Sequence, residues 1–334
     1  MKKWQDGMRV LVTGGNGFIG SHLLEALVER GYLLRCLVRK TSNLRWLRGL
    51  PVELVYGDVT DTASLPEAVR GVDYVYHLAG VVEAKQEEAY DRVNAQGTDH
   101  LLQACLDHAP NMRRFIYASS QSAAGPSPDA RPVKESDPPH PISSYGRSKL
   151  RGERIVLSYG ERIPVTIIRP PAVYGPRDRM TLPYFSMVRS RIKPLLGLKH
   201  KKYISLSYVS DLVRGFILAG ESQKAVGQIY FIADERAYSR PEILDRMAEV
   251  LSVKAITVHV PDVFAHLLVA FSSLLSRVAP SSGTLSRGKA RELVQRYWIC
   301  DVSKAKRELG YESRVGLREG LQITAQWYQE HGWL

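Results

Sequence analysis

Two residues four positions apart, Tyr145 and Lys149, form the most reactive pair that the sequence offers. They lie in a helix-like segment, 144–159, where this spacing places both side chains on one face. A phenol titrates at about pH 10, too high for proton transfer at neutrality, but a neighbouring ammonium group favours the phenolate. A serine hydroxyl can hold and polarise a substrate oxygen, and Ser119 and Ser120 end an apolar, strand-like run. These residues predict proton transfer to or from a substrate oxygen.

A glycine-rich run, Thr13-Gly14-Gly15-Asn16-Gly17-Phe18-Ile19-Gly20, joins a strand-like stretch to an amphipathic, helix-like one. Gly14 allows a tight turn, Gly17 permits the close approach of a diphosphate, and Gly20 lets the helix pack on the strand. The helix N-terminus adds free N–H groups and the positive end of the helix dipole. The run predicts a diphosphate site, although ordinary turns also use glycine.

Two further motifs end predicted strands near this turn. In Gly57-Asp58-Val59, the carboxylate can accept a hydrogen bond from an adenine amino group, or it is a solvated turn residue. In His77-Leu78-Ala79-Gly80, the small residues would let a ribose and a diphosphate lie against the backbone. Both motifs stand where a parallel sheet binds its ligands.

The first half of the chain alternates strand-like and helix-like segments. Buried strands rich in Val and Leu predict a parallel sheet covered on both faces, with ligands beyond the carboxyl ends of the strands. The predicted strands are 9–13, 33–38, 52–56, 74–78, 115–118 and 165–168, and the predicted helices are 18–29, 63–69, 87–108 and 144–159.

Beyond residue 175 this alternation breaks down. We predict an α/β fold with a Rossmann-type, doubly wound parallel sheet over 1–175 and return elements around 205–232. A smaller, mostly helical substrate domain would comprise 176–204 and 233–334. The loop 125–141, rich in Pro and Ser, is expected to lie over the active face. Later predicted elements are strands at 203–206 and 228–232 and helices at 182–191, 211–219, 241–251, 262–278, 304–309 and 317–330.

The composition is that of a globular protein: 334 residues, 44% hydrophobic and 24% charged. The net charge of +12 could attract nucleic acid, an acidic membrane or small anions. Because the cations are scattered, we expect a small-molecule substrate, without nucleic acid or membrane contact. The cysteines, Cys36, Cys105 and Cys300, form no metal pattern and suggest reduced thiols. The polar start of the chain and the absence of a long apolar stretch favour a cytoplasmic protein.

These motifs follow one another in the order found in the extended short-chain dehydrogenase/reductases, and the sequence resembles that family over most of its length. The family includes nucleotide-sugar epimerases, dihydroflavonol reductases and 3β-hydroxysteroid dehydrogenases. The run 94–98, Arg169-Pro170 and Tyr174-Gly175-Pro176 also match its pattern.

The resemblance implies that Ser120 is the catalytic serine and Tyr145 the general acid/base. Lys149 would lower the tyrosine pKa and hold the nicotinamide ribose, and Asn94 would support the helix geometry or a water near the lysine. Relatives often pair through the helix that carries the tyrosine, so a homodimer is expected. The residues expected to hold a nicotinamide cofactor are Gly14, Asn16, Gly17, Phe18, Ile19, Gly20, Arg39, Lys40, Asp58, Val59, Leu78, Ala79, Gly80, Asn94, Tyr145, Lys149, Pro170 and Val173.

The end of the second predicted strand bears on the choice of cofactor. Enzymes of this fold that prefer NAD place a carboxylate there to bind the ribose 2′-hydroxyl. Here Val38 stands in that place, followed by Arg39 and Lys40. An apolar residue followed by two cations suits a 2′-phosphate, so NADP is favoured. The alternative is that Arg39 stacks on the adenine and that either NADP or NAD is used.

Departures from the family pattern narrow the reaction. The family's dehydratases carry Thr-Asp-Glu where this chain has Ser120-Gln121-Ser122, so no acid stands ready to protonate a leaving hydroxyl. Its nucleotide-sugar epimerases have an arginine just before the segment matching 207–211, and 203–206 contains none; the alternative is that Arg177, Arg179 or Lys202 takes its place. An apolar stripe over 263–278 predicts either a core helix or a lid over an apolar substrate.

The sequence therefore predicts an oxidoreductase that interconverts a secondary alcohol and a ketone on a moderately apolar molecule. The alternative is a sugar or nucleotide-sugar epimerase of the same family. A third reading is a cofactor-binding scaffold without turnover.

Overall fold

A parallel sheet with helices on both faces organises the protein. The structure is a computed structural model and describes residues 7–84, 86–197, 202–260 and 287–334. Its strands are β1 (Arg9–Thr13), β2 (Leu33–Val38), β3 (Val52–Tyr56), β4 (Tyr74–His77), β5 (Arg114–Ala118), β6 (Val165–Arg169), β7 (Ala172–Tyr174), β8 (Ile192–Leu196), β9 (Tyr203–Ile204), β10 (Leu206–Tyr208), β11 (Gln228–Phe231), β12 (Tyr238–Ser239), β13 (Ile256–Val260) and β14 (Tyr297–Trp298).

The described α-helices lie between and after these strands. They are α1 (Phe18–Val28), α2 (Leu65–Val69), α3 (Glu87–Asp91), α4 (Gly97–His108), α5 (Gln121–Ala124), α6 (Ser144–Ser158), α7 (Leu182–Arg189), α8 (Val209–Glu221), α9 (Arg240–Val250), α10 (Arg287–Val294), α11 (Ser303–Leu309) and α12 (Leu317–Glu330).

Seven strands form the central sheet, in the order β11-β6-β5-β4-β1-β2-β3. Every neighbouring pair in it is parallel. Apolar side chains of α1 and α8 pack on one face, and those of α2, α4 and α6 pack on the other. This arrangement confirms the predicted doubly wound, Rossmann-type α/β fold.

The strand order reverses at β1, which pairs with β2 on one side and β4 on the other. Ligands of doubly wound sheets bind at such a reversal, beyond the carboxyl ends of the strands. The segments that follow β1, β2 and β4 are the glycine turn, the Val38-Arg39 segment and the His77–Gly80 motif. The topology thus brings the three predicted cofactor segments to one crevice.

The C-terminal part adds a third apolar cluster, which joins α7, α9 and α12 to β10. Short strands accompany these helices in three small sheets, β10-β7, β12-β9-β14 and β13-β8. The strand β11 returns to the central sheet beside β6. The division into a dinucleotide domain and a substrate domain remains a prediction.

Several elements differ from the predictions. The helix predicted over 87–108 contains a π-helical turn, Arg92–Gln96, between α3 and α4. The strand predicted over 203–206 is two strands, because its two parts belong to different sheets: β9 pairs with β12 and β14, whereas β10 pairs with β7. The strands β7, β8, β12, β13 and β14 and the helices α5 and α10 were not predicted. The predicted helix over 262–278 lies outside the described residues.

The three cysteine side chains are buried free thiols. Burial raises the pKa of Cys36 and of Cys300 to about 12, so these thiols are protonated and unreactive at neutral pH. Within the described ranges, no helix is both long and apolar enough to cross a membrane.

Candidate active site

The first turn of α6 presents Tyr145 and Lys149 beside the end of β5. Ser143 is the N-cap of this helix, and its Oγ accepts from Gly146 N at 3.0 Å. This cap fixes where the helix begins, and therefore which face of the helix Tyr145 occupies. The i, i+4 spacing predicted for the pair is present within α6.

Ser120 is the N-cap of α5, and its Oγ accepts from Ser122 N at 3.1 Å. Its side chain also hydrogen-bonds Tyr145, which favours the phenolate. Burial acts more strongly in the opposite direction and raises the pKa of Tyr145 above its ordinary value. The tyrosine of the protein alone is therefore a protonated acid at neutral pH.

Lys149 is buried, and its Nζ donates to Ala118 O at 2.8 Å and lies 4.8 Å from the ring centre of Tyr117. Burial lowers the pKa of Lys149 to about 8, and the Glu153 carboxylate opposes this shift. Lys149 is not among the groups that shift the pKa of Tyr145. The lowering of the tyrosine pKa expected from Lys149 thus remains a prediction for the cofactor-bound state.

Asn94 lies in the π-helical turn and is fully buried. Its Oδ1 accepts from Val81 N at 2.8 Å, and its Nδ2 donates to Val81 O and to Ser148 Oγ, both at 3.0 Å. A Cβ on Gly80 would lie 2.9 Å from Asn94 Oδ1 and 3.3 Å from Lys149 Nζ. Only glycine therefore fits where β4, the π-turn and α6 meet.

The glycine turn has the geometry that its spacing predicts. Gly14 has a φ of +73°, and a Cβ on it would lie 2.7 Å from Ala79 N. A Cβ on Gly20 would lie 2.2 Å from Gly14 O, so Gly20 permits the contact of α1 with the turn. A Cβ on Gly17, the N-cap of α1, would approach only Gly14 O, at 3.2 Å. The free side of Gly17 is a cradle that suits a diphosphate.

His77 connects the ends of β1 and β4 to α4. Thr98 Oγ1 donates to Asn94 O at 2.9 Å, so it accepts from His77 Nε2, 3.0 Å away. His77 Nδ1 then accepts from Thr13 Oγ1, at 2.7 Å. Burial, helped by the charge of Lys149, lowers the pKa of His77 to about 3. This neutral histidine braces the backbone on which the cofactor is expected to lie.

The segment after β2 carries two exposed cations, Arg39 and Lys40. In the described part of the chain, neither forms an ion pair. Val38 is buried, and Gly57 N donates to its carbonyl oxygen at 3.0 Å. The nearby Asp58 uses Oδ1 to accept from Thr60 N at 2.9 Å and from Thr60 Oγ1 at 2.8 Å. The cations stand beside the crevice, where a 2′-phosphate would need them.

The other predicted cofactor residues lie at the same edge of the sheet. Phe18 and Ile19 open α1, next to Asn16 and Gly17. Val59 follows Asp58, and its Cγ2 would lie 2.7 Å from a Cβ on Gly97. Leu78 follows β4, Pro170 follows β6, and Val173 lies in β7. The crevice fits a dinucleotide, because glycine openings, a helix N-terminus and free cations meet there.

Sequence reasoning missed a buried ion pair beneath Lys149. Arg169 donates to Glu153 from Nε at 2.8 Å and from Nη2 at 2.6 Å, and Ser119 Oγ donates to the same carboxylate at 2.5 Å. Ser119 therefore supports the site from below, while Ser120 faces Tyr145. The only sequence signals were the Arg169-Pro170 match and the position of Glu153 one turn beyond Lys149.

A second missed group is Glu292, on α10. It is buried, and its Oε1 accepts from Ser143 Oγ at 2.6 Å. No motif marks Glu292, and it lies 149 positions along the chain from its partner Ser143. Only the folded structure brings it to the first turn of α6.

Comparisons with known proteins agree with this geometry. The model of the NAD dependent epimerase/dehydratase family matches residues 10–233. A ceramide reductase from Caulobacter vibrioides is 31% identical over 328 residues, covering 97% of this chain and 96% of that protein. A 4-hydroxy-2-methyl-3-oxo-4-farnesyl-3,4-dihydroquinoline-1-oxide ketoreductase from Stigmatella aurantiaca is 28% identical, covering 96% of each chain.

A solved structure, MoeE5 in complex with UDP-glucuronic acid and NAD, superposes with a TM-score of 0.78 at 26% identity. The match covers 97% of this chain and 99% of that one. These matches confirm the resemblance to the extended short-chain dehydrogenase/reductases. The chain belongs to the NAD dependent epimerase/dehydratase family and is an enzyme of the dehydrogenase, reductase or epimerase kind.

Proposed function

We propose that this enzyme reduces a ketone on a moderately apolar small molecule to a secondary alcohol with NADPH, and catalyses the reverse oxidation. The observation that carries the proposal is the convergence of Ser120, Tyr145 and Lys149 beside the dinucleotide crevice. A bound nicotinamide supplies or accepts the hydride. The protein's own groups must then hold the substrate oxygen and exchange one proton with it.

The protonation state of Tyr145 supports reduction. Burial keeps its phenol protonated, so Tyr145 can donate a proton to the carbonyl oxygen as that oxygen gains negative charge. Ser120 Oγ holds the same oxygen by a hydrogen bond. Lys149, with its pKa lowered to about 8, can lose and regain a proton near neutrality. It can therefore help to restore the proton on the tyrosine.

An apolar substrate is favoured by the surroundings of Tyr145. The ring of Tyr90 packs edge-on against Tyr145, with centroids 6.3 Å apart, and Tyr90 Oη donates to Val82 O. The side chain of Val82 is 50% exposed in the loop after Gly80. The names of the two relatives above describe a ceramide reductase and a farnesylquinoline-oxide ketoreductase. Both names fit reduction of a lipid-like molecule.

Epimerisation of a nucleotide sugar is the second candidate, and it is supported by the structural likeness to MoeE5, whose solved structure holds UDP-glucuronic acid and NAD. An epimerase oxidises and re-reduces one carbon, so its nicotinamide shows no net change. The segment 203–206 lacks the arginine of the family's nucleotide-sugar epimerases, which argues against this reaction.

A steady-state assay separates the two reactions. The purified enzyme is given NADPH with long-chain β-keto amides and with steroid ketones, and in parallel reactions NAD or NADP with UDP-glucose or UDP-glucuronic acid. We expect net NADPH oxidation with an apolar ketone. A new sugar epimer formed without net nicotinamide change would replace the proposal with epimerisation. Tight cofactor binding with no turnover of any compound would favour the scaffold.

We also propose that NADP is preferred over NAD, because Arg39 and Lys40 are exposed and are not ion-paired within the described ranges. Arg39→Ala should weaken NADPH binding by about 10- to 100-fold, since one charged hydrogen-bonding group to the 2′-phosphate is lost. NADH binding should hardly change. Fluorescence titration of both cofactors measures this, with Arg48→Ala as the exposed control. Equal losses for NADPH and NADH would refute the role of Arg39.

A further inference from the structure

The first turn of α6 is contacted from outside by α10, a helix of the C-terminal part of the chain. Ser143 Oγ accepts from Gly146 N at 3.0 Å and donates to Glu292 Oε1 at 2.6 Å. Both residues are buried. A Cβ on Gly288 would lie 3.0 Å from Ser143 Cβ and 3.6 Å from Ser144 N, so α10 packs directly on this turn. Ser143 therefore caps α6 and also hydrogen-bonds α10, a helix from a distant part of the chain.

Glu292 also supplies a charge that α6 lacks. The first turn of α6 contains no acidic residue of its own. A carboxylate near a helix N-terminus is stabilising, because it faces the positive end of the helix dipole. Glu292 provides that carboxylate through a buried contact, where solvent screens its charge little.

From this geometry we propose that Glu292 is a positioning residue for the reaction: it holds the first turn of α6 through Ser143 and places a negative charge beside Tyr145. The proposal rests on the proposed function, because it assigns a task in proton transfer by Tyr145. In this proposal α10 positions the turn that carries Tyr145, although no sequence motif lies in α10.

The negative charge of Glu292 should disfavour the phenolate form of Tyr145. The charge of Glu292 raises the pKa of Tyr145, in the same direction as burial. Among the described residues, the other titratable or charged groups that contact this turn are Tyr90 and Glu87 from α3 and Arg147 from α6, and Lys149 follows within α6. Glu87 accepts from Ser144 Oγ but is 74% exposed, so water screens its charge. Glu292 is the buried carboxylate of this set.

Removal of the Glu292 charge should therefore lower the pKa of Tyr145. As the pH rises and Tyr145 loses its proton, kcat/KM for alcohol oxidation should rise and kcat/KM for ketone reduction should fall. In Glu292→Gln, the pH profiles of both reactions should move to lower pH by roughly 0.5 to 1 unit. Where kcat/KM for oxidation still rises with pH, the variant should therefore oxidise the alcohol about three to ten times faster than the wild type at the same pH.

A set of variants separates charge from hydrogen bonding. The amide oxygen in Glu292→Gln can still accept from Ser143, whereas Glu292→Ala removes both the charge and the acceptor. Glu87→Gln removes an exposed charge from the same turn and is the matched control, expected to leave the profile in place. Hydrogen exchange of the amides 146–149 needs no substrate. It should accelerate in Glu292→Ala and in Ser143→Ala but not in Glu292→Gln.

The results distinguish this proposal from the proposed function. An enzyme that reduces no ketone overturns the function before any variant is compared. An active enzyme whose Glu292→Gln profile superposes on that of the wild type overturns the electrostatic role of Glu292. Unchanged amide exchange in Glu292→Ala overturns its structural role. A shift in Glu292→Gln without one in Glu87→Gln supports the proposal.

Discussion

Tyr145 and Lys149 lie on one helix, but different neighbours control their protons. Burial keeps the tyrosine protonated, and burial also lowers the pKa of the lysine to about 8. In the protein alone, burial therefore shifts each group towards its neutral form, although most of the Lys149 ammonium is still charged at pH 7. This matches a site that gives a proton to a substrate and takes another from water.

Tyr145→Phe tests the role of the phenol. The variant keeps the ring contact with Tyr90 and loses only the hydroxyl. We expect kcat to fall by about 100- to 10,000-fold, the usual contribution of a general acid. Affinity for NADPH should be nearly unchanged, as measured by fluorescence titration. Activity close to that of the wild type would exclude Tyr145 as the proton donor.

Because His77 is buried in its neutral form, we expect the free energy of unfolding to fall at acidic pH. Its pKa is lowered to about 3 in the folded protein, against about 6.5 when unfolded. The unfolded chain therefore binds an extra proton between these values, and stability is lost as pH falls from about 6.5 towards 3. Between pH 7 and pH 5 this costs about 1–2 kcal/mol.

Urea unfolding at pH 7 and pH 5 measures this loss. In His77→Gln the drop in the free energy of unfolding should be smaller by about that amount, since the titrating group is gone. His140→Gln, at the exposed histidine of the 125–141 loop, is the control. Equal drops in the wild type and His77→Gln would show that His77 is not neutral in the folded state.

At the scale of elements, the glycine turn separates ligand binding from folding. A Cβ on Gly17 meets only Gly14 O, whereas a Cβ on Gly20 would lie 2.2 Å from that atom. Gly17→Ala should therefore fold normally and bind NADPH at least about tenfold more weakly, because the methyl group faces the diphosphate. Gly20→Ala should lower the free energy of unfolding by about 1–3 kcal/mol or more.

Thermal unfolding and cofactor titration of both variants measure these effects. If Gly17→Ala binds NADPH as tightly as the wild type, then the diphosphate does not lie on this turn.

The sequence predicted those elements whose pattern is local. The strands β1 to β6 carry short runs dominated by aliphatic and aromatic residues, and the helices α1 and α6 follow clear turn or cap residues. The short strands β7 and β14 form through pairing with the distant strands β10 and β9, which leaves no periodic signal in the sequence. The π-turn at Asn94 depends on hydrogen bonds to Val81 and Ser148, and no helical pattern reveals these.

The residues of the candidate site were likewise predictable only where the signal is local in the sequence. Ser120, Tyr145 and Lys149 belong to motifs with fixed spacing and could be named from the sequence. Glu153 and Glu292 act through contacts with residues far along the chain, so their roles become visible only in the fold.

At the scale of the whole molecule, we expect a homodimer that pairs along α6. The outer face of this helix is rich in arginine but also exposes Leu157, at 42%. A charge there should oppose pairing of two apolar surfaces, so Leu157→Glu should sediment as a monomer. Leu33→Glu, at another exposed leucine, is the control and should remain dimeric. A wild-type enzyme that sediments as a monomer at all concentrations would refute the expectation.

The central claim is that this enzyme transfers a hydride, with net turnover, between NADPH and an apolar ketone. Its most direct test uses NADPH deuterated at the transferable position of the nicotinamide, with product analysis by mass spectrometry. We predict one deuterium on the carbinol carbon of the alcohol for each NADP formed. No deuterium in any ketone-derived alcohol, together with conversion of a nucleotide sugar to its epimer in a parallel reaction with NAD or NADP and no net formation of reduced cofactor, would contradict this proposal.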